Sequence, residues 1–124
     1  VIFTGHLQIN DLHLALGSAL ALTFVSYFEG FGIPLVEAMR CEVPVLTSNK
    51  TSLPEVAGEA ALICDPFSVS SISDGLFRLA NEESLRKSLV EKGKIRAQQF
   101  SWDKTSATVW NALMNVANAQ GKIS

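Results

Sequence analysis

Four short apolar runs, at residues 1–4, 22–25, 43–47 and 61–64, alternate along the chain with stretches of helical spacing. Each run is rich in branched or aromatic side chains and is closed by glycine, proline or polar residues, the pattern of a strand buried on both faces. That alternation leaves few architectures open: the strands line up parallel, the connections cross over right-handed, and helices cover both sides of one sheet. The fold class is α/β. With 124 residues, 48% of them hydrophobic and 18% charged, the chain is one domain's worth of material and holds enough apolar side chains for a core.

The second run feeds the most specific stretch, residues 26–46. Glu29, Gly30, Phe31 and Gly32 form a turn in which two glycines permit backbone angles or close approaches that a side chain forbids. Pro34 suits the first helical position, where its missing N–H costs nothing, and Ile33, Val36 and Met39 fall at the spacing of an inward face. The free N–H groups and positive dipole end of that helix then point past the carboxyl edge of the strand, where an anion is favoured. This charge–dipole attraction is worth about 0.3–1 kcal/mol when exposed and about 2 kcal/mol when partly buried, so it positions a phosphate without supplying an affinity. Two carboxylates bracket the turn: Glu29 before the glycines, and Glu37 one helical turn further on, on the side of Ile33. Carboxylates accept hydrogen bonds from hydroxyls, so a ligand with an anionic link and sugar hydroxyls satisfies the whole set.

The stretch from Glu29 through Gly30, Phe31, Gly32, Ile33, Pro34, Leu35 and Val36 to Glu37 resembles the Glu-x7-Glu signature of group 1 glycosyltransferases, also called family 4. These are retaining, nucleotide-sugar-dependent enzymes with two Rossmann-like domains in the GT-B arrangement. Val43-Pro44-Val45-Leu46-Thr47-Ser48, then Ser52-Leu53-Pro54-Glu55-Val56-Ala57-Gly58, Asp65-Pro66 and Phe100-Ser101-Trp102 follow in the order and spacing of that family. The resemblance covers residues 1–110. Two positions depart from it: Val25-Ser26 stands where a Pro-Ser pair is usual, and Gly17-Ser18-Ala19 where an aromatic-ended helix is common.

The resemblance implies a Rossmann-like parallel sheet with helices on both faces. Residues 1–124 would be the donor-binding, carboxyl-terminal domain, incomplete on its N-terminal side, where further strands carry the arginine and lysine that hold the donor's diphosphate. It implies transfer of a hexose from a nucleoside diphosphate sugar to a glycan, lipid-linked or small-molecule acceptor with retention, and no cofactor or bound metal. Residue by residue, Glu37 matches the glutamate that bonds the ribose hydroxyls, and Glu29 the catalytic-site glutamate beside the donor sugar. Backbone N–H groups of Gly30, Phe31, Gly32, Ile33 and Leu35 would contact sugar hydroxyls and phosphate. His6, in the loop expected at the carboxyl edge of the first run, is placed to touch the nucleobase or donor sugar.

Plainer readings stand beside these. Glu37 on residue type alone is an exposed helix residue paired with Arg40 or Lys50, and Glu29 a solvated loop acid. A glycoside hydrolase would need the two carboxyl groups about 5–9.5 Å apart with one in an apolar pocket, for which a loop glutamate beside glycines is weak support. A nucleotide-sugar epimerase uses the same donors but does not share the signature as a unit. A non-catalytic domain that binds a nucleotide or partner chain is the third reading. For the 124 residues alone, no sugar transfer and weak donor binding are expected, because an acceptor site needs the facing N-terminal domain.

A net charge of −2 gives no electrostatic case for nucleic acid or an anionic membrane. No apolar run reaches the roughly 20 residues that span a bilayer, which leaves peripheral association of the whole protein compatible. Cys41 and Cys64 read as buried, reduced, structural thiols in a chain without a signal peptide, which points to the cytoplasm. Lys50 reads as a phosphate-neutralising or a solubilising lysine, and Glu55 as a first-turn carboxylate. In the helical half, Asn10 or Asp11 is expected to cap a first helix carrying Leu12, Leu14 and Leu16. Val69, Ile72, Leu76 and Leu79 read as the core face of one helix, and Leu85, Leu89, Ile95 and Phe100 as that of the next. Arg86, Lys87, Lys92, Lys94 and Arg96 read as a solvated face. Ser101 is expected to cap a last helix in which, if the facing domain is absent, some of Trp110, Leu113 and Val116 are exposed or covered by a crystal or dimer contact.

Overall fold

The computed structural model describes residues 1–119. Three strands, β1 (Leu22–Phe24), β2 (Val45–Ser48) and β3 (Ala61–Cys64), form one parallel sheet in the order β1-β2-β3. Leu22 pairs with Val45, and Val45 in turn with Ala61. Six helices surround it: α1 (Ile9–Gly17), α2 (Ile33–Arg40), α3 (Leu53–Ala57), α4 (Val69–Asn81), α5 (Glu83–Ala97) and α6 (Trp102–Ala119).

β2 is the centre of the molecule, and all four of its residues are buried. Neighbouring side chains on a strand point to opposite faces, and Val45 and Leu46 accordingly join different cores. Val45 packs with Leu35, Val36, Ala38, Met39, Leu53 and Val56 from α2 and α3. Leu46 packs with Cys64, Leu79 of α4 and Leu89 of α5. Helices therefore cover both faces of a strand that is buried throughout, and the hydroxyl of its buried Thr47 donates to the Phe24 carbonyl at 2.8 Å. α4 approaches the sheet so closely that a Cβ on Gly75 would lie 2.6 Å from Leu46 Cδ1.

Residues 1–4 are not a strand; they are exposed and pair with nothing among the described residues. A strand exists only through its neighbours, and residues 1–4 find none beside them among the described residues. α1 begins at Ile9 behind an N-cap at Gln8, two residues ahead of Asn10 and three ahead of Asp11, and buries none of its residues. Ser101 does cap α6, its Oγ accepting from the Lys104 N–H at 3.1 Å.

The periodicity in the helical half overstates the core. Leu79 and Leu89 are buried and Ile72 and Leu85 half-buried, but Val69, Leu76 and Ile95 are exposed because no second layer covers their side of the helices. The basic residues correct the picture in the other direction. Arg86 donates to the carbonyls of Leu79 and Ala80 at the end of α4, and Arg96 to those of Glu55 and Val56 at the end of α3. Both satisfy carbonyls that a helix terminus leaves without partners. Lys94 bridges Glu42 and Glu91, and Lys92 pairs with Glu59. Lys87 and Lys92, both exposed and paired with exposed glutamates, fit the solvated reading.

Both thiols are free; Cys64 is buried and Cys41 is half-buried. Burial, with a smaller contribution from Asp65, pushes the Cys64 thiol up from its ordinary value. The fold thus favours the neutral thiol, so this stabilisation is complete below the ordinary thiol range, about pH 8.5, and is lost as pH rises beyond it. An alkylating reagent at pH 8 should label Cys41 well before Cys64, read by peptide mass spectrometry; equal rates would contradict the burial difference.

Candidate functional site

The loop between β1 and α2 leaves the carboxyl edge of the sheet, where open α/β sheets bind ligands. Gly32 is the N-cap of α2 at φ 104° and ψ 48°. A Cβ there would lie 2.6 Å from Leu53 Cδ2 in the core, so both the angle and the space demand glycine. Gly30 meets neither condition, having no positive φ and nothing within 4 Å of an added Cβ, so only one of the two glycines carries the conformational reason.

α2 buries Leu35, Val36, Ala38 and Met39, and full burial of a large apolar side chain contributes about 1.5–3 kcal/mol. That face fixes the helix on the sheet and leaves Ile33 half-exposed instead of inward-facing. Glu37, four residues on, shares the exposed side and is half-buried. Among the described residues its carboxylate has no ion-pair or hydrogen-bond partner; Arg40 instead donates to the Phe100 carbonyl at 2.8 Å, and Lys50 lies over the Phe67 ring at 5.8 Å.

The backbone donors at this helix start are the site's main chemical resource. Among the described residues the N–H groups of Gly30, Phe31, Gly32 and Ile33 have no partner, whereas the Leu35 N–H is taken by the Gly32 carbonyl at 3.0 Å. Leu35 has a wholly buried side chain as well, so it is a core residue here. α2 has no acid in its first turn, so nothing of its own neutralises the dipole end. Glu29, half-buried, carries a side chain without a partner among the described residues, while its backbone is held on both sides.

That hold comes from the loop after β2, residues 49–52. The Glu29 N–H donates to Thr51 Oγ1 at 3.1 Å, and Ser52 Oγ lies 3.0 Å from the carbonyls of both Glu29 and Phe31. Thr51 sits at φ 53°, a left-handed angle that costs an L-residue about 1–2 kcal/mol and is rarer still for a β-branched one. The Phe31 ring meets Phe100 edge-on at 5.6 Å between centroids, and Arg96 stacks on the other aromatic of that pair. Spacing alone cannot reveal contacts between loops 22 residues apart.

His6 lies exposed in the segment outside the sheet, and no hydrogen bond joins it to the Glu29 loop. The structure thus sets Glu29, Gly30, Phe31, Gly32, Ile33 and Glu37 along one loop and helix start, to which His6 makes no hydrogen bond. A groove of about 460 Å3 lies at the opposite end of α2, lined by Arg40, Glu42 and Lys94 among others. The Lys94–Glu42 ion pair lies in its lining, and Arg40 there donates to the Phe100 carbonyl.

A parallel sheet with helices on both faces and its donors gathered at a carboxyl edge is a Rossmann-like domain of the GT-B type. Sucrose-phosphate synthase from Thermosynechococcus elongatus has the same fold, with a TM-score of 0.82 at 24% identity over 95% of this chain and 30% of that one. Residues 1–96 match the family described as glycosyl transferases group 1, and the chain belongs to that family. It is 39% identical over 110 residues to the O-antigen chain mannosyltransferase B of Escherichia coli, covering 89% of this chain and 29% of that protein. It is 34% identical over 102 residues to the MMP alpha-(1->4)-mannosyltransferase of Mycolicibacterium hassiacum, covering 79% of this chain and 25% of that protein. The chain thus spans under a third of these relatives. No described helix is long and apolar enough to cross a membrane.

Proposed function

We propose that this chain is the donor-binding, carboxyl-terminal part of a hexosyltransferase that uses a nucleoside diphosphate sugar and retains the anomeric configuration. The observation that carries the reading is the run of four unpartnered N–H groups at residues 30–33, flanked by the unpaired carboxylates of Glu29 and Glu37. The N–H groups meet the diphosphate and nearby sugar hydroxyls. Glu37 accepts from the ribose hydroxyls, and Glu29 lies beside the transferred sugar. Rate enhancement then comes from holding the reactants in register and from stabilising the negative charge that builds on the departing diphosphate. Backbone donors fixed at a helix start suit that work because they need not reorganise as the charge appears. The mannosyltransferase names among the relatives favour a mannose donor.

Calorimetric titration of the intact enzyme with GDP-mannose and UDP-glucose tests the site. Glu37→Gln should weaken the preferred donor about 10- to 100-fold, the worth of a charged hydrogen bond of about 1.5–3 kcal/mol. Lys87→Ala, on the surface, should leave it unchanged. Equal effects of the two variants would remove Glu37 from the site. The 124-residue chain by itself is taken to transfer no sugar and serves as the blank.

A further inference from the structure

The loop after β2 is anchored more firmly than an exposed connection requires. The Asn49 N–H donates to the Cys64 carbonyl at 2.9 Å, and the Lys50 N–H to Oγ of the wholly buried Ser48 at 3.3 Å. From that base Thr51 and Ser52 reach the turn that precedes α2. Thr51 Oγ1 takes the Glu29 N–H, and Ser52 Oγ, with one proton to give, is shared between the Glu29 and Phe31 carbonyls. Leu53, the next residue, closes the space beside Gly32. Three consecutive residues thus fix three of the four residues that lead into the helix.

Backbone strain gives an independent pointer. Thr51 is one of two non-glycine residues with positive φ among those described. A β-branched side chain stays in that region only where its surroundings over-determine it, and such outliers gather at sites where geometry matters to function. Here the strained residue is the one whose hydroxyl holds Glu29.

We infer that Thr51 and Ser52 are positioning residues: they set where Glu29 and the N–H groups of residues 30–33 stand relative to the donor, without touching it themselves. The inference rests on the donor-binding reading of this loop. Its physical basis is that reacting groups displaced by about 1 Å can lose a hundredfold in rate, while the carbonyls freed by losing Ser52 Oγ lie near solvent and can be rehydrated.

Steady-state kinetics of the intact enzyme with its sugar nucleotide, together with amide hydrogen exchange, test this. Ser52→Ala should lower kcat about 10- to 100-fold, with the donor KM changed less than threefold and the melting midpoint nearly kept. Ser52→Thr, which keeps the hydroxyl, should restore kcat. Thr51→Val keeps the shape and the backbone strain but loses the acceptor; it should lower kcat similarly and speed exchange of the Glu29 amide, and Thr51→Ser should reverse both. Wild-type kcat and Glu29 exchange in Ser52→Ala and Thr51→Val would overturn the inference. So would a loss of kcat, KM and melting midpoint together that the hydroxyl-keeping variants fail to rescue. Should the wild type consume no sugar nucleotide, the donor reading falls and the catalytic half of this inference with it.

Discussion

Gly32→Ala is expected to destabilise the chain by about 2–5 kcal/mol and to abolish donor binding at the α2 edge. Two costs add. A left-handed angle costs an L-residue about 1–2 kcal/mol, and Gly32 sits at φ 104°. The new Cβ would also lie 2.6 Å from Leu53 Cδ2, and overpacking of a well-filled core costs about 1–3 kcal/mol. Leu53 is wholly buried, so it cannot swing into solvent to make room. The chain would relieve the clash by moving the turn, which carries the unpartnered N–H groups away from their ligand. A urea titration followed by circular dichroism reads the first effect and calorimetry with the donor the second. Gly30→Ala, whose new Cβ would meet nothing within 4 Å, is the matched control and should cost under about 1 kcal/mol. Equal losses at the two glycines would show that Gly32 has no special place.

Leu53→Ala is expected to cost about 2–5 kcal/mol, the range for removing a buried leucine from a core that cannot fully collapse. Leu53 belongs to the cluster that joins α2, α3 and β2, so the cavity would open beneath the signature turn. The pair is informative in combination. Because the added methyl group of Gly32→Ala points at the space that Leu53→Ala vacates, the double variant should be less destabilised than the sum of the single ones, by about 0.5–3 kcal/mol. Strict additivity would mean that the backbone angle alone makes Gly32 necessary.

Much of the architecture was legible because its causes are local. The run at residues 61–64 became β3 with the same bounds, and the other two paired runs became β1 and β2 within two residues. Pro34 marked α2, which begins one residue earlier at Ile33, and the spacing of Val36 and Met39 marked its buried face, to which Ile33 does not belong. Residues 1–4 had equal strand character but found no neighbour, since pairing is a property of the sheet and not of the run. The exposed Val69, Leu76 and Ile95 show the same limit for helices: period reveals a stripe, whereas burial needs something opposite it. At the site, Glu29, Gly32 and Glu37 were legible from their spacing. Thr51, Ser52 and Arg96 were not, because each acts on carbonyls or amides brought near only by the sheet.

Trp110, Leu113 and Val116 on α6 are exposed, at 63%, 60% and 58%. Trp102, at the start of the same helix, is exposed too, and these are the two tryptophans of the chain. Intrinsic emission from this segment therefore starts from indoles already in water and would scarcely change as the sheet melts. The same indoles would shift to shorter wavelength once another surface closed over α6, which makes them a built-in optical reporter of docking and a poor thermometer of folding.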